Sequence, residues 1–143
     1  GTDLSQAALA VAARNAARLG VADRARLVLS DWWDRVGASF DLIVSNPPYI
    51  AAAEMAGLQR EIGFEPRMAL TDGSDGLSAY RRIIAGAGAR LTPGGRLLLE
   101  IGPTQGAAVC AMMHAAGLVE VQILPDLDGR DRVVTGTRAR MSP

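Results

Sequence analysis

Segments with helical periodicity alternate along this chain with short apolar runs, and this alternation limits the folds that it can adopt. Leu9, Ala12, Ala16 and Leu19, for example, recur at helical spacing. The predicted elements are helices over about 6–19, 77–91 and 104–116, and strands over 26–29, 41–45, 96–101, 118–124 and 132–135. This order is typical of an α/β fold, in which helices flank a parallel sheet. The last two strands predict an antiparallel hairpin.

Polar residues and glycines mark the ends of these elements. Ser5 is predicted to cap the first helix, and Gly20 to end it. Thr104 is predicted to cap the last helix and Gly117 to end it, while the Thr-Pro-Gly-Gly run over 92–95 is predicted to end the middle one. In the hairpin, one face is expected to consist of Val119, Val121 and Ile123.

Composition indicates one globular domain over residues 1–143. The chain is 49% apolar and 21% charged, which is enough apolar surface for a core and excludes intrinsic disorder. No apolar run approaches the roughly 18 residues of a membrane helix, and no leader sequence opens the chain, so we expect a cytoplasmic protein with no membrane partner. We find no internal repeat or linker.

The ionisable residues exclude several functional classes. Fifteen basic residues balance fifteen acidic ones, so the molecule lacks the overall positive field that favours direct nucleic-acid binding. Cys110 and His114 are single residues of their kinds, which excludes an internal disulfide, a zinc cluster and a histidine-based triad. No metal site is expected. The absence of lysine also excludes Schiff-base chemistry and a P-loop.

The most informative motif is the tetrapeptide Asn46-Pro47-Pro48-Tyr49, which we call the proline corner. It follows the apolar run 41–45, predicted as a strand buried on both faces, and so it occupies the position where ligands bind in open α/β sheets. The prolines fix two φ angles and remove two N–H donors. The corner is therefore expected to present the Asn46 side-chain oxygen and nearby backbone carbonyls as acceptors for a planar NH2 group.

The proline corner resembles the fourth motif of class I methyltransferases that use S-adenosylmethionine to modify planar amino or amide nitrogens. An amide nitrogen is a poor nucleophile because its lone pair is delocalised into the carbonyl. Two acceptors that hold its N–H bonds can turn the lone pair toward the methyl donor, so orientation supplies much of the rate. No general base is required first, because the product loses its proton readily. A rigid turn without function is the alternative interpretation.

Over nearly its whole length the chain is similar to the release factor glutamine methyltransferase family. The matching segments are SNPPYI over 45–50, EPR over 65–67, AL over 69–70, DG over 72–73, DGL over 75–77, LTPGGRLLLEIG over 91–102, Gln105, and DLDGRDRVV over 126–134. The resemblance implies a Rossmann-like class I methyltransferase sheet. It also implies S-adenosylmethionine as the cofactor, and methylation of the glutamine amide in the Gly-Gly-Gln motif of peptide chain release factors.

The resemblance assigns roles to individual positions. Asp3 matches the acidic residue that accepts hydrogen bonds from the ribose of the methyl donor, and Trp32 matches the position beside its adenine. Asn46, Pro47, Pro48 and Tyr49 match the clamp on the substrate amide, with Asn46 and Pro47 as the catalytic pair and Asn46 also near the donor. Asp3 as a helix cap and Trp32 as a core aromatic remain structural alternatives, and Trp33 is expected to pack.

Other polar residues have two interpretations. The Glu65-Pro66-Arg67 segment is either a turn or part of a substrate loop, and Glu100 is either a site carboxylate or a cap on the backbone amides that follow. His114 and Cys110 share the last predicted helix and are expected to be structural.

The sequence also departs from the family pattern. Family members have a first strand and a glycine-rich loop upstream of the position of Asp3, and these 143 residues contain neither. We therefore expect a partial catalytic domain whose two half-sheets expose unpaired edges. This fragment is expected neither to bind the donor well nor to turn over.

Three other functions remain open. An adenine amine methyltransferase of DNA or RNA shares the proline corner, although a net charge of zero argues against it. A ribosomal protein glutamine methyltransferase would perform identical chemistry. A non-catalytic interaction module is the third possibility, but folding alone does not require asparagine at position 46.

Overall fold

The computed structural model describes residues 1–55 and 66–140. These residues divide into two compact units, the first over residues 1–38 and the second over the described residues from 39 onward. None of the described helices is long and apolar enough to cross a membrane.

The first unit contains one helix and a pair of short parallel strands. Strand β1 (Thr2–Asp3) pairs with β2 (Val28–Leu29), and helix α1 (Gln6–Arg18) and a 3₁₀ turn (Ala22–Arg24) lie between them in the chain. The Ser5 side chain accepts a hydrogen bond from the amide of Ala8, and Gly20 has a φ of +67°, so both predicted ends of α1 are confirmed. Of the apolar residues at helical spacing, Leu9 is buried, whereas Leu19, at the C-cap, is 71% exposed.

The second unit is built on a mixed four-stranded sheet. Its strands are β3 (Phe40–Ser45), β4 (Leu91–Glu100), β5 (Leu118–Pro125) and β6 (Asp131–Arg138), in the order β3-β4-β6-β5. The β3 and β4 strands are parallel, whereas β6 pairs antiparallel with both β4 and β5. The predicted hairpin and the α/β class are therefore confirmed. The helices are α2 (Arg67–Leu70), α3 (Ser78–Arg90) and α4 (Gly106–Ala115).

Strand β3 is less buried than its apolar sequence predicts. Leu42 is 54% exposed and Val44 is 66% exposed, so the expectation of burial on both faces is wrong. The physical reason is its position, because β3 is the end strand of this sheet and pairs with β4 on one side alone. The central strand β4, by contrast, fully buries Leu97 and Leu99.

The Thr-Pro-Gly-Gly run does not form a separate turn. Helix α3 ends at Arg90, and β4 begins at the next residue. Phe40 pairs with Leu91 and Leu42 pairs with Arg96, so the run is an irregularity within the ladder between β3 and β4. Pairing with a distant strand therefore overrides the local turn signal.

Two other predicted details are wrong. Helix α4 begins at Gly106 with Gln105 in the N-cap position, so Thr104 is not its cap. In β5, Glu120 has a φ of +52° and the register shifts between Val119 and Gln122. This bulge interrupts the alternation of side chains, with the result that Val119 is 43% exposed and Leu118 is only 4% exposed.

The core of the second unit lies between the sheet and helices α3 and α4. The sequence places Leu77, Tyr80, Ile84, Ala87 and Leu91 at helical spacing, and all of them are buried except Leu77, which is half-buried. The largest fully buried side chains also include Leu97, Leu99, Ile101, Val109, Met113 and Val134.

Candidate active site

The proline corner lies at the carboxyl end of β3. Ser45, the last residue of β3, pairs with Leu99 of β4, and the two strands are parallel. Both strands therefore end at the same edge of the sheet, which brings Glu100 and the residues after it beside the corner. Within the corner, Asn46 is exposed, Pro47 is buried, and Pro48 and Tyr49 are half-buried.

Two residues of the corner, Asn46 and Pro47, have acceptors that no described residue uses. Within residues 1–55 and 66–140, no donor forms a hydrogen bond to the backbone carbonyl of Asn46 or Pro47, nor to the Asn46 side chain. Since Pro47 and Pro48 have no N–H group, the corner offers acceptors without competing donors from these residues. Such a set matches the two N–H bonds of a planar NH2 group.

The chain that leaves the corner is fixed by backbone hydrogen bonds to a loop before α3. The Ile50 amide donates to the Leu70 carbonyl at 3.0 Å, and the Ala52 amide donates to the Ser74 carbonyl at 2.9 Å. Ile50 and Thr71 also form an isolated parallel bridge. The exit of the corner is thus held over several residues rather than at one point.

Asp72 organises that loop. Its carboxylate accepts hydrogen bonds from the amides of Ser74 at 2.8 Å, Gly76 at 3.1 Å and Ser78 at 2.8 Å. Partial burial acts to raise the pKa of Asp72, but these N–H donors outweigh it and lower the pKa below its ordinary value. The ionised carboxylate therefore stabilises both the loop and the start of α3.

The Tyr49 phenol lies in a charged environment. Burial and the Glu100 carboxylate raise the pKa of Tyr49, and the Arg132 guanidinium partly opposes this effect. Arg132 in turn forms an ion pair with Asp126 at 3.2 Å. Glu100 thus faces the corner, as the site interpretation of this residue expects, and Tyr49 stays a neutral donor at neutral pH.

Gln105 links the corner to its neighbours. Its Nε2 donates to the Tyr49 carbonyl at 2.8 Å and to the Gly76 carbonyl at 3.2 Å. Its Oε1 accepts from the Gly102 amide and from the Tyr80 hydroxyl, each at 3.0 Å. In the sequence, Gln105 is identified only as part of the family pattern. The signal for its contact with the Gly102 amide is its position three residues after that glycine.

The two residues predicted to hold the methyl donor lie in the first unit. Asp3 is exposed, and its Oδ1 accepts a hydrogen bond from the Ser5 amide at 2.7 Å, as a helix-leading residue does. Trp32 is half-buried with a φ of +49°, and its carbonyl accepts from the Ser30 hydroxyl at 3.1 Å. Trp33 is also half-buried, so the degree of burial does not show which of the two tryptophans packs and which is available to a ligand.

The remaining candidates follow the proline corner in the chain. Glu65 lies outside the described residues, and Pro66 occupies the N-cap position of α2. His114 is exposed in the last turn of α4. Cys110 is half-buried, and burial together with Asp131 raises the pKa of its thiol, which disfavours the reactive thiolate.

Comparison with protein families gives one match that covers half of the chain. The model of the methyltransferase small domain matches residues 1–73, which include Asp3, Trp32 and the proline corner.

Similar proteins agree with this match. The chain is 64% identical over 135 residues to the release factor glutamine methyltransferase of Cereibacter sphaeroides, covering 94% of the chain and 49% of that protein. It is 50% identical over 136 residues to the protein of the same name from Xylella fastidiosa, with the same coverage. The resemblance predicted from the motifs is thereby confirmed. The chain spans about half the length of these relatives.

A solved structure supports the predicted fold. A methyltransferase from Pyrococcus furiosus superposes with a TM-score of 0.70 at 19% identity, covering 96% of this chain and 61% of the other. At that identity the similarity supports the Rossmann-like fold alone.

Proposed function

We propose, from the premise that the chain belongs to the methyltransferase small domain family, that it forms part of a release factor glutamine methyltransferase. The reaction would transfer a methyl group from S-adenosylmethionine to the side-chain amide nitrogen of the glutamine in the Gly-Gly-Gln motif. The high identity to proteins named for this activity supports the substrate class.

One observation carries the proposal. The proline corner follows a strand at the carboxyl edge of the sheet, and its Asn46 and Pro47 acceptors have no donor among the described residues. Asn46 is exposed, so its acceptors are accessible from solvent, and they lie at the sheet edge where ligands bind in open α/β sheets. The amide NH2 of glutamine is a donor that fits such acceptors.

The corner's own residues would orient the substrate. The Asn46 Oδ1 and the Pro47 carbonyl accept the two N–H bonds of the amide, which holds its plane and directs the nitrogen lone pair away from both acceptors. Tyr49 forms a wall beside the flat amide group. Attack by the neutral amide nitrogen would break the bond between sulfur and the methyl group, leaving a neutral thioether and a positively charged, N-protonated methylamide. Because this cation is strongly acidic, its proton can leave to water, so no side chain needs to act as a base before transfer.

Residues of the first unit fit the methyl donor chemically. Asp3 is exposed, and its second carboxylate oxygen has no partner within residues 1–55 and 66–140, so it can accept hydrogen bonds from ribose hydroxyls. Trp32 presents part of an aromatic ring that can stack on adenine. When bound, S-adenosylmethionine supplies an electrophilic methyl group.

The proposal includes the partner and the compartment. A peptide chain release factor is the protein substrate, which requires a cytoplasmic enzyme with no direct nucleic-acid contact. The adenine-specific alternative and the ribosomal protein alternative share the chemistry, and the names of the similar proteins favour the release factor.

A methyl-transfer assay distinguishes these substrates. The protein that contains this chain is incubated with labelled S-adenosylmethionine and one of four acceptors. These are a release factor, the same factor with Gln→Ala in the Gly-Gly-Gln motif, a ribosomal protein, and an adenine-containing oligonucleotide. Label on the unmodified release factor alone is expected. Label on the oligonucleotide or the ribosomal protein instead would reject the release-factor proposal.

A further inference from the structure

We infer that Gln105 is a positioning residue that fixes the backbone of the proline corner for methyl transfer. This inference rests on the proposed function, because it assigns a residue that acts on the corner without touching the substrate. It concerns a contact made across the sheet edge, between the segment that follows β3 and the segment that precedes α4.

Both polar atoms of the Gln105 side chain have hydrogen-bond partners, although the single proton of the Tyr80 hydroxyl is shared between Gln105 and the Glu100 carbonyl. A carboxamide has two N–H donors and an oxygen with two lone pairs. Both donors are engaged, by the Tyr49 carbonyl at 2.8 Å and the Gly76 carbonyl at 3.2 Å. The oxygen accepts from Gly102 and Tyr80 at 3.0 Å each. Reversing the carboxamide would place NH2 against the Gly102 N–H, so the partners determine its orientation.

The partners on the acceptor side of Gln105 are buried. Tyr80 is fully buried, and its hydroxyl also lies 2.9 Å from the Glu100 carbonyl. Gly102 is buried, and a Cβ atom at that position would lie 3.0 Å from the Gln105 Oε1 and 3.3 Å from the Tyr49 Cδ2. Gln105 is therefore held by the core on its acceptor side and holds the corner on its donor side.

The proline corner can transmit this constraint. Pro47 and Pro48 have fixed φ angles, so few backbone rotations separate the Tyr49 carbonyl from the Pro47 carbonyl. A shift at Tyr49 consequently moves the acceptors that would hold the substrate amide. Since misplacement by about 1 Å can cost on the order of 100-fold in rate, a single hydrogen bond at this point can affect turnover.

The two sides of the carboxamide can be separated by substitution. Gln105→Glu keeps acceptors for Gly102 and Tyr80 but replaces the donors with an oxygen that repels the Tyr49 and Gly76 carbonyls. Gln105→Met keeps the approximate side-chain volume and removes all four hydrogen bonds. Gln122→Glu is the matched control. Gln122 is exposed on β5, so this substitution makes the same chemical change away from the proline corner.

The test uses the protein that contains this chain, with two measurements. Methyl transfer to a release factor gives kcat and KM, and ¹⁵N NMR follows the amide of Ile50, whose nitrogen is bonded to the Tyr49 carbonyl carbon. Both Gln105 variants are expected to lower kcat by roughly 10- to 100-fold with KM changed less than about threefold, and to shift the Ile50 resonance. The Gln122→Glu protein should match the wild type in each measurement.

Several outcomes would overturn the inference. If Gln105→Glu keeps the wild-type kcat, the donors do not matter and Gln105 only satisfies its core partners. If the Ile50 resonance does not shift in either variant, the positioning role is rejected, and this result does not depend on measuring methyl transfer. Failure of both variants to fold would make Gln105 a stability residue. By contrast, a wild-type protein that labels no release factor rejects the proposed function itself.

Discussion

A Cβ atom at Gly76 would lie 2.4 Å from the carbonyl oxygen of Tyr49, so two backbone segments meet there at a distance that excludes any side chain. Gly76 also has a φ of +75°, a left-handed conformation. The loop before α3 therefore packs backbone to backbone against the proline corner, and glycine is required at that position for both reasons.

Gly76→Ala should destabilise the protein more than Gly73→Ala does. Both glycines have positive φ angles, but a Cβ atom at Gly73 would have no neighbour within 4 Å. The left-handed conformation costs alanine roughly 1–2 kcal/mol at either site, and only Gly76→Ala must also displace the Tyr49 carbonyl. Urea unfolding measures the difference, and equal free energies of unfolding would contradict the close contact.

Asn46→Ala should remove most of the methyl transfer while the protein stays folded. The substitution deletes one of two proposed acceptors for the substrate amide, and loss of one orienting hydrogen bond is expected to lower kcat by roughly 100-fold. Affinity for the donor, measured by calorimetric titration, should change by no more than a few fold. Asn15→Ala, on the exposed surface of α1, is the control. Loss of folding in Asn46→Ala would make this residue structural.

Asp72→Asn should lower stability in a manner that depends on pH. The folded pKa of Asp72 lies below its unfolded value, so its contribution is complete above the unfolded pKa of about 4 and disappears as pH falls through the folded pKa. We expect a loss of about 1 kcal/mol at pH 7, as for other helix-capping carboxylates, and a smaller difference from the wild type below pH 4.

Thermal unfolding at several pH values measures this effect. Asp128→Asn is the control, since Asp128 lies in the exposed turn between β5 and β6. A difference between Asp72→Asn and the wild type that stays constant from pH 7 to strongly acidic pH would contradict a role for the ionised carboxylate.

Leu99→Ala should cost far more stability than Leu42→Ala in the 143-residue chain. Leu99 in β4 is fully buried, whereas Leu42 in the neighbouring β3 is 54% exposed. A buried leucine truncated to alanine costs about 2–5 kcal/mol, and an exposed one is expected to cost well under half of that. Denaturant unfolding of the two variants measures the loss of stability in each. Similar losses for Leu99→Ala and Leu42→Ala would show that β3 is buried in solution.

Local signals explain which elements could be predicted. Helix α1 has its polar cap at Ser5 and its glycine stop at Gly20 within the same short segment, so its bounds needed no tertiary information. The β4 irregularity and the Glu120 bulge depend on how one strand pairs with a distant strand. No local pattern specifies such a register, which is why the predicted start of the β4 strand at residue 96 and the predicted face of β5 were wrong.

The site was predictable to the extent that it is contiguous. The four residues of the proline corner follow one another, and a strand before them is enough to suggest where they lie. Glu100, Gln105 and Arg132 reach the same edge from three other segments, and only the topology of the sheet brings them together. The roles of the proline corner, of Asp3 and of Trp32 stay predictions.

Gln105 occupies the N-cap position of α4, yet its side chain gives that helix no cap. A designer who optimised this domain for heat resistance would replace it with aspartate or serine, because short acceptors at an N-cap ordinarily add about 1 kcal/mol. Such a change would sever the link to Tyr49. Thermostabilised versions selected by unfolding temperature alone should therefore include catalytically impaired proteins, and position 105 is where screening for turnover must accompany screening for stability.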